Sequence, residues 1–525
     1  MGLPEKDKIF PGHASFLSFY PSVSQIFNGV AACLPQGCYT FTGLYHMMKY
    51  LLAPCLFFLP VLLSAQAGYE IKVTLKPFKN QYVYLGHYSG KQLPIVDSAL
   101  LNDKSEGVFK GTAPLGGGIY LIGYPTRDRF IEILVDEKQH FSVIADTAKR
   151  EDVKFINSPD NDLFTAYQKG INARGKALGD ARNGLQTAAG AADSAAWNEK
   201  IKNALAAMSS YRKELISQHP NTLMASLLHL MQEPEVPPAS MHPGGKYDTA
   251  YARYYFKSHY WDNINFWDDR ISRTPASLFD EKLDKYFNSA VAHHPDSVNQ
   301  ELDWMLGYAS VSKEMTKYLL VKFITRYMNM QYMWEDAVMV NLYQKYFAQK
   351  DYDWLTPQGK KMITDRAYNL MANMMGSLAP DITLPDSTGK IQALYAGTSP
   401  FTLVTIWDPT CGHCKEVLPK IDSMYRTKWK DMGVHIYAMA KETDGTQKHW
   451  LDFISQHHLQ GWTHVYYSRA EEKKRVDAGI PGYTQLYDAQ TVPALFLLDK
   501  EKKIFAKKMA WEQIDELLAL KLKKP

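Results

Sequence analysis

Cysteine is scarce in this sequence, and its scarcity limits what the chain can be. The chain has five cysteines among 525 residues. Cys33, Cys38 and Cys55 lie near the start, and only Cys411 and Cys414 follow them. A framework of disulfides needs several pairs of cysteines spread along the chain. Such a framework is therefore excluded for the whole stretch between the early and the late cysteines.

An excess of charge of one sign is also lacking. Lysine and arginine number 59, aspartate and glutamate number 55, and the formal net charge is +4. Proteins that bind nucleic acid along its phosphates usually carry a strongly basic surface. We therefore predict no nucleic-acid partner. The apolar content of 46% is ordinary for globular proteins, and a chain of this length predicts several domains.

Long apolar runs are missing too, apart from one short segment near the start. Residues 47–67 have a basic start and end in an Ala-x-Ala cleavage pattern. Between these lies an apolar run from Leu51 to Leu63, which is short for a membrane span. The pattern is typical of a secretory signal peptide. We therefore predict a signal peptide at 47–67, a mis-called N-terminal extension at 1–46, and a mature protein in the periplasm or cell envelope.

The pattern of strands and helices divides the rest of the chain into three regions. Alternating apolar residues and frequent glycines over 68–150 predict a small all-β, sandwich-like domain of antiparallel strands. Helical spacing over 151–376 predicts a mainly α-helical domain. Over 377–525 the predicted order is β-α-β-α-β-(α)-β-β-α, which describes a mixed sheet covered by helices. The predicted fold class is therefore multidomain, with an α/β domain at the C-terminus.

The residues that carry chemistry lie in this last region. The motif Cys411-Gly-His-Cys414 follows an apolar, β-branched run that ends at Trp407, and it precedes a helix-compatible run. The pair is therefore predicted where a strand ends and a helix begins. The free N–H groups of a helix start stabilise a thiolate, and a second cysteine one turn later can attack a mixed disulfide. His413 would add a cationic group that makes the disulfide more oxidising.

Two other interpretations of the cysteine pair compete with redox chemistry. Half of a zinc site would need further ligands, and neither a second cysteine pair nor histidines at finger spacing follow. Two inert core cysteines would not explain the specific strand–Cys-x-x-Cys–helix context. An exported protein with one closely spaced pair cannot use that pair as a long-range staple. We therefore favour redox chemistry and predict no metal and no cofactor.

On these residues the sequence resembles the thioredoxin superfamily, and within it the envelope thiol–disulfide oxidoreductases of the TlpA/ResA type. Trp407 stands four residues before the first cysteine and Pro419 five residues after the second, as in thioredoxins. Val492-Pro493 matches the cis-proline loop of the superfamily. The resemblance covers residues 377–525 and implies a thioredoxin fold there. For the preceding regions it is architectural only, a β domain and a helical domain of unknown function.

The resemblance also implies roles for the site residues. Cys411 would be the exposed nucleophile and Cys414 the buried resolving thiol. Gly412 and His413 form the centre of the motif that protein disulfide isomerases share. The Val492-Pro493 loop would pair with the backbone of a client protein.

The proton acceptor for the resolving thiol stays open. Thioredoxins place a buried aspartate six residues before the first cysteine, where this chain has Thr405. The TlpA/ResA group often has a glutamate three residues after the second cysteine, where this chain has Val417. Glu416 and Glu442 are the candidates that remain.

The predicted function is that of an exported thiol–disulfide oxidoreductase. Its partners would be client proteins with cysteines or disulfides and a redox partner, in the membrane or outside it. The direction of exchange stays open, because His413 favours oxidation or isomerisation whereas the resemblance favours reduction. The alternative is an envelope binding or scaffold protein whose thioredoxin-like domain is a docking or redox-sensing module.

Overall fold

The computed structural model describes residues 68–148 and 152–522. The predicted N-terminal extension and the predicted signal peptide lie outside the described residues. No helix in the described part of the chain is long and apolar enough to cross a membrane.

Strands make up the first described region. They are β1 (Tyr69–Lys76), β2 (Tyr82–His87), β3 (Ile95–Leu100), β4 (Glu106–Gly111), β5 (Gly118–Gly123), β6 (Phe130–Val135), β7 (His140–Asp146) and β8 (Lys154–Ile156). They form two four-stranded sheets, ordered β4-β1-β7-β8 and β3-β2-β5-β6. Alternate residues of both sheets, such as Ile71 and Val83, point into one shared core. The alternation in the sequence therefore located these strands.

The prediction of purely antiparallel pairing is wrong for one pair of strands. Strand β1 runs parallel to β7, with Ile71 opposite Phe141 and Val73 opposite Val143. Antiparallel pairing is enforced only where a short hairpin joins two strands. Because β1 and β7 are separated by five other strands, no such turn constrains their direction.

Helices follow the strands. They are α1 (Pro159–Gln186), α2 (Ala191–Gln218), α3 (Leu223–Leu230), α4 (Thr249–Ser258), α5 (Phe279–Lys285), α6 (Pro295–Ala309), α7 (Lys313–Met328), α8 (Glu335–Leu342) and α9 (Pro357–Met371). Helix α1 begins with Pro159 at its first position and acidic residues in its first turn, which suit a helix N-terminus. The buried side chain of Asn161 ties this helix to β6 through two 2.8 Å hydrogen bonds with the backbone of Leu134.

The described residues form two compact units. One contains the described residues up to Leu228 together with Arg273–Ala276. The other contains His229–Ser272 and the described residues from Ser277 onward. The domain boundaries near residues 150 and 376 stay a prediction, because compactness alone does not define a folding domain.

Strands and helices alternate after α9. The elements are β9 (Thr383–Pro385), β10 (Ile391–Ala393), β11 (Phe401–Trp407), α10 (Gly412–Met424), β12 (Val434–Lys441), α11 (Lys448–Gln456), β13 (Thr463–Tyr467), α12 (Arg469–Asp477), α13 (Tyr483–Leu486), β14 (Ala494–Leu498), β15 (Ile504–Lys507) and α14 (Trp511–Leu522). From β11 onward their order agrees with the predicted one, and β9 and β10 form a short leading hairpin.

A five-stranded mixed sheet, ordered β13-β12-β11-β14-β15, forms the centre of this region. Strand β11 is in the middle, parallel to β12 and antiparallel to β14. Its side chains alternate between two cores. Leu403 and Trp407 face the core that contains residues of α10, α11 and α14. Val404 and Ile406 face the core on the side of the β9–β10 hairpin and α13. The end of β11 is thus held rigidly from both faces.

Candidate active site

The cysteine pair lies at the junction of β11 and α10, as the sequence predicted. Asp408, Pro409 and Thr410 form the turn between them, and the Asp408 carbonyl oxygen accepts a 3.2 Å hydrogen bond from the Cys411 N–H. The Cys411 carbonyl oxygen in turn accepts from the Lys415 N–H, which starts the helix. Both cysteines are free thiols. The rigid strand end therefore fixes where the first sulfur emerges.

The two thiols differ in environment. Cys411 is partly exposed, whereas Cys414, one turn into α10, is fully buried in the core beneath. Burial raises the pKa of Cys414 to about 12, and the neighbouring Cys411 thiol adds to the increase. A thiol with so high a pKa is protonated at neutral pH and is a poor nucleophile until its proton is removed. This asymmetry suits an outer attacking sulfur and an inner resolving sulfur.

The loop before β14 lies against the outer thiol. The Cys411 Sγ atom lies 3.8 Å from the carbonyl oxygen of Val492, a weak sulfur hydrogen bond. The peptide bond between Val492 and Pro493 is cis. The structure thus brings together the motif and the loop that the resemblance named, although the two are about 80 residues apart in sequence.

The remaining predicted site residues have different surroundings. Trp407 is fully buried and packs on Phe453, with ring centroids 5.2 Å apart. Pro419 lies inside α10. Gly412 is exposed, and a Cβ atom there would meet nothing within 4 Å. The side chain of His413 is 67% exposed to solvent.

Neither predicted proton acceptor has the surroundings of a buried acid. The Glu416 carboxylate is 75% exposed and lies 4.0 Å from His413 Nδ1. The Glu442 carboxylate accepts a 3.1 Å hydrogen bond from the Arg469 N–H. Thr405 is fully buried, and its hydroxyl has no hydrogen-bond partner among the described residues. The identity of the proton acceptor stays a prediction.

Sequence reasoning missed Asp408. This residue is only 7% exposed, and its charge acts on Cys414. The available signal was an acidic residue directly after a buried strand and three positions before Cys411. Its partner Thr443 is distant in sequence, so the sequence did not reveal that this carboxylate is held in place.

Residues 68–148 and 152–522 contain no group of three or more His, Cys, Asp or Glu side chains that could hold a metal ion. Cys33, Cys38 and Cys55 lie outside the described residues.

Comparisons with known proteins identify relatives of this fold. A family described as a domain of unknown function, DUF5106, matches residues 206–364. A comparison with curated proteins gives no match. Among solved structures, a thioredoxin-like protein from Bacteroides caccae is 20% identical, with a TM-score of 0.41. The match covers 55% of this chain and 98% of that protein.

Two further solved structures are more similar in sequence. A domain of a possible thiol-disulfide isomerase from Cytophaga hutchinsonii is 30% identical over 29% of this chain and 94% of that domain, with a TM-score of 0.24. The thioredoxin domain of a thiol-disulfide oxidoreductase from Bacteroides vulgatus is 26% identical over 27% of this chain and 97% of that domain, with a TM-score of 0.23.

The central sheet, the paired thiols at a helix start and the facing cis-proline loop define a thioredoxin-like fold. The 30% identity over almost the whole of one such domain adds independent evidence from sequence. The chain therefore belongs to the thioredoxin superfamily, with relatives among its thiol–disulfide oxidoreductases. The resemblance stated from the Cys-x-x-Cys motif is confirmed.

Proposed function

We propose that this protein is an exported thiol–disulfide oxidoreductase that exchanges disulfides with proteins of the cell envelope. The observation that carries the proposal is the asymmetry of the pair: Cys411 is reachable from solvent beside the Val492 carbonyl, and Cys414 is buried behind it. Export rests on the signal-peptide pattern at 47–67. The relatives among solved structures include thiol–disulfide oxidoreductases, which supports the reaction class.

In the reducing direction the exchange takes two steps. The Cys411 thiolate attacks a disulfide of the client, forming a bond between Cys411 Sγ and one client sulfur while the other client sulfur leaves as a thiolate. Cys414 then loses its proton, and its sulfur attacks Cys411 Sγ and releases the second client thiolate. Two electrons pass from the pair to the client, and the pair becomes a disulfide. Oxidation of a client is the reverse sequence.

The surroundings of the pair support this order of attack. Cys411 is the N-cap residue directly before α10, and its side chain is partly exposed, so a client disulfide can reach it. Cys414 is buried, so the sulfur that it attacks is Cys411 Sγ in the mixed disulfide. The Val492 carbonyl beside Cys411 offers a backbone acceptor at the place where the backbone of an extended client would pair.

Turnover of a disulfide substrate tests the proposal. Full-length protein is assayed for reduction of insulin with dithiothreitol as the electron source, beside the Cys411→Ser and Cys414→Ser variants. The proposal predicts catalysis well above dithiothreitol alone for the natural sequence and loss of catalysis in both variants. Equal rates for all three proteins would contradict it and would favour the alternative, a binding or scaffold protein with a docking module.

A further inference from the structure

The loop that carries Val492 and Pro493 is anchored at its start by a buried carboxylate. Asp488 is 4% exposed and has a φ of 45°, in the left-handed region that costs energy for most residues other than glycine. Its Oδ2 atom accepts a 2.6 Å hydrogen bond from Arg366 Nη1 and another from Lys508 Nζ. A carboxylate buried so deeply is stable only when donors and cations satisfy it. The two cations therefore hold this residue in its place.

The two cations come from different parts of the chain. Arg366 lies on α9, before the thioredoxin-like region, whereas Lys508 directly follows β15 of the central sheet. Burial raises the pKa of Asp488, but the hydrogen bonds and charges of Lys508 and Arg366 outweigh that effect and hold the pKa below its ordinary value. The carboxylate is therefore ionised at neutral pH and forms an ion pair with each cation.

The segment that follows α9 holds the same part of the chain at a second point. The Asn373 side-chain amide donates a 2.9 Å hydrogen bond to the carbonyl oxygen of Leu486, two residues before Asp488. Between these two points lies Tyr487, which is fully buried and donates a hydrogen bond to the Pro380 carbonyl. Helix α9 and the residues after it thus fix the chain directly before the cis-proline loop.

Only a short tether connects this anchor to the reactive sulfur. Ala489 is buried, and its N–H donates a 2.8 Å hydrogen bond to a carbonyl of α13. The two residues between Ala489 and Val492 are exposed, and the Val492 carbonyl oxygen lies 3.8 Å from Cys411 Sγ. Two extended residues span at most about 7 Å. A shift of Asp488 is therefore passed on to Val492 rather than absorbed by the loop.

We propose that Arg366 is a positioning residue that, through Asp488, holds the Val492 carbonyl at the place where a client backbone pairs. The inference rests on the proposed function and adds to it a role for the helical segment before the thioredoxin-like region. An extended client donates a backbone N–H to an acceptor of this kind, and the strength of that bond depends on where the acceptor lies. Arg366 acts through Asp488 rather than on the sulfurs, so its loss weakens client binding and leaves the chemical steps unchanged.

The kinetics of client reduction separate binding from chemistry. With dithiothreitol as the electron source, kcat and KM of the full-length protein are measured for a peptide that contains one disulfide. The variants are Arg366→Gln, which removes the charge, and Arg366→Lys, which retains it. Reaction of the reduced proteins with dipyridyl disulfide is measured beside them, because this small disulfide has no peptide backbone to pair with Val492.

Arg326→Gln is the matched control. Arg326 lies on α7 and forms a 3.0 Å ion pair with Asp284 of α5. Its side chain is 21% exposed, against 23% for that of Arg366. The two variants therefore remove the same charge from two partly buried arginines on helices before the thioredoxin-like region, and only one of these arginines pairs with the anchor of the loop.

The proposal predicts that Arg366→Gln raises KM for the peptide by about threefold to tenfold, the worth of one hydrogen bond between a client and the Val492 carbonyl. Its kcat and its rate with dipyridyl disulfide stay within about twofold of the natural values. Arg366→Lys gives a KM closer to the natural one, because it keeps a cation beside Asp488. Arg326→Gln changes neither constant by more than about twofold. If Arg366→Gln fails to fold by circular dichroism, Arg366→Met, which fills the same space without the charge, takes its place.

An unchanged KM in a folded neutral variant of Arg366 would overturn the inference while leaving the proposed function intact. A fall of kcat and of the rate with dipyridyl disulfide in that variant would mean damage to the cysteine site itself and would also overturn it, as would an equal rise of KM in Arg326→Gln. If the natural sequence does not turn over the peptide disulfide at all, the proposed function itself fails.

Discussion

The Nζ atom of Lys507 lies 2.7 Å from the carboxylate of Asp336, and both side chains are almost completely buried. Lys507 ends β15 of the central sheet, and Asp336 lies in the first turn of α8. Burial lowers the pKa of Lys507, and the Asp336 charge opposes that effect. The lysine also donates to both oxygens of Asn373. A buried ion pair thus joins a helix before the thioredoxin-like region to its sheet.

Loss of the Asp336 charge should destabilise the protein strongly. Asp336→Ala leaves the Lys507 ammonium buried without its carboxylate, and removing one partner of a buried pair typically costs about 3–5 kcal/mol of unfolding free energy. Urea unfolding measures the change. The control is Asp365→Ala, which removes the carboxylate of an exposed pair with Lys361 and should cost less than about 1 kcal/mol. Equal effects of the two variants would contradict the structure.

His464 should make the protein less stable at mildly acidic pH. It lies in β13, its ring makes a 2.8 Å hydrogen bond with the Leu459 carbonyl, and burial lowers its pKa to about 4. Between the unfolded pKa near 6.5 and the folded value, the unfolded state binds more protons, so stability falls as pH falls through this window. The loss is about 3 kcal/mol in total.

The unfolding free energy should be measured from pH 7 to pH 4. In the His464→Gln protein, the part of its decrease that His464 causes should be absent. His458→Asn, at an exposed position with φ of 55°, should keep it. A decline of the same size in His464→Gln would show that other groups cause the pH dependence.

The two thiols should differ sharply in their reactivity with alkylating reagents. The pKa of Cys414 is raised and its side chain is fully buried, whereas Cys411 is partly exposed. Brief treatment of reduced, folded protein with iodoacetamide at pH 8 should modify Cys411 and leave Cys414 free, and peptide mass spectrometry identifies the site. Denatured protein provides the control, because both cysteines should then react. Preferential labelling of Cys414 in the folded state would refute the assignment of inner and outer thiols.

Substitution of glycine by alanine should have different effects on the unfolding free energy at two positions of the C-terminal region. Gly412 has open space around its Cβ position, so Gly412→Ala should change the unfolding free energy little or raise it by up to about 1 kcal/mol through helix propensity. Gly433 has a φ of 78°, and its Cβ would lie 2.9 Å from the Pro400 ring. Gly433→Ala should therefore cost more than about 1 kcal/mol. Thermal unfolding compares the two, and a greater loss for Gly412→Ala would be inconsistent with this geometry.

The sequence revealed the parts of the site that depend on local pattern. Strand β11, the helix start at the cysteines and the proline before β14 each have a recognisable signature within a few residues. Asp408 was missed because its significance depends on Thr443, which only the folded sheet brings beside it. The parallel pairing of β1 with β7 and the buried pair of Asp336 with Lys507 were inaccessible for the same reason. Contacts between distant segments leave no periodic signal in the sequence.

The measurement that tests the central claim most directly is the trapping of a mixed disulfide. Full-length Cys414→Ser and Cys411→Ser are each incubated with a peptide that contains one disulfide, quenched with acid and analysed by intact mass. The account predicts a covalent adduct on Cys411 in the Cys414→Ser protein, because no inner thiol remains to release it. It predicts no adduct on Cys414 in the Cys411→Ser protein, because Cys414, the only other cysteine in the described region, is buried. An adduct on Cys414, or none in either variant, would contradict the assignment of Cys411 as nucleophile and Cys414 as resolving thiol.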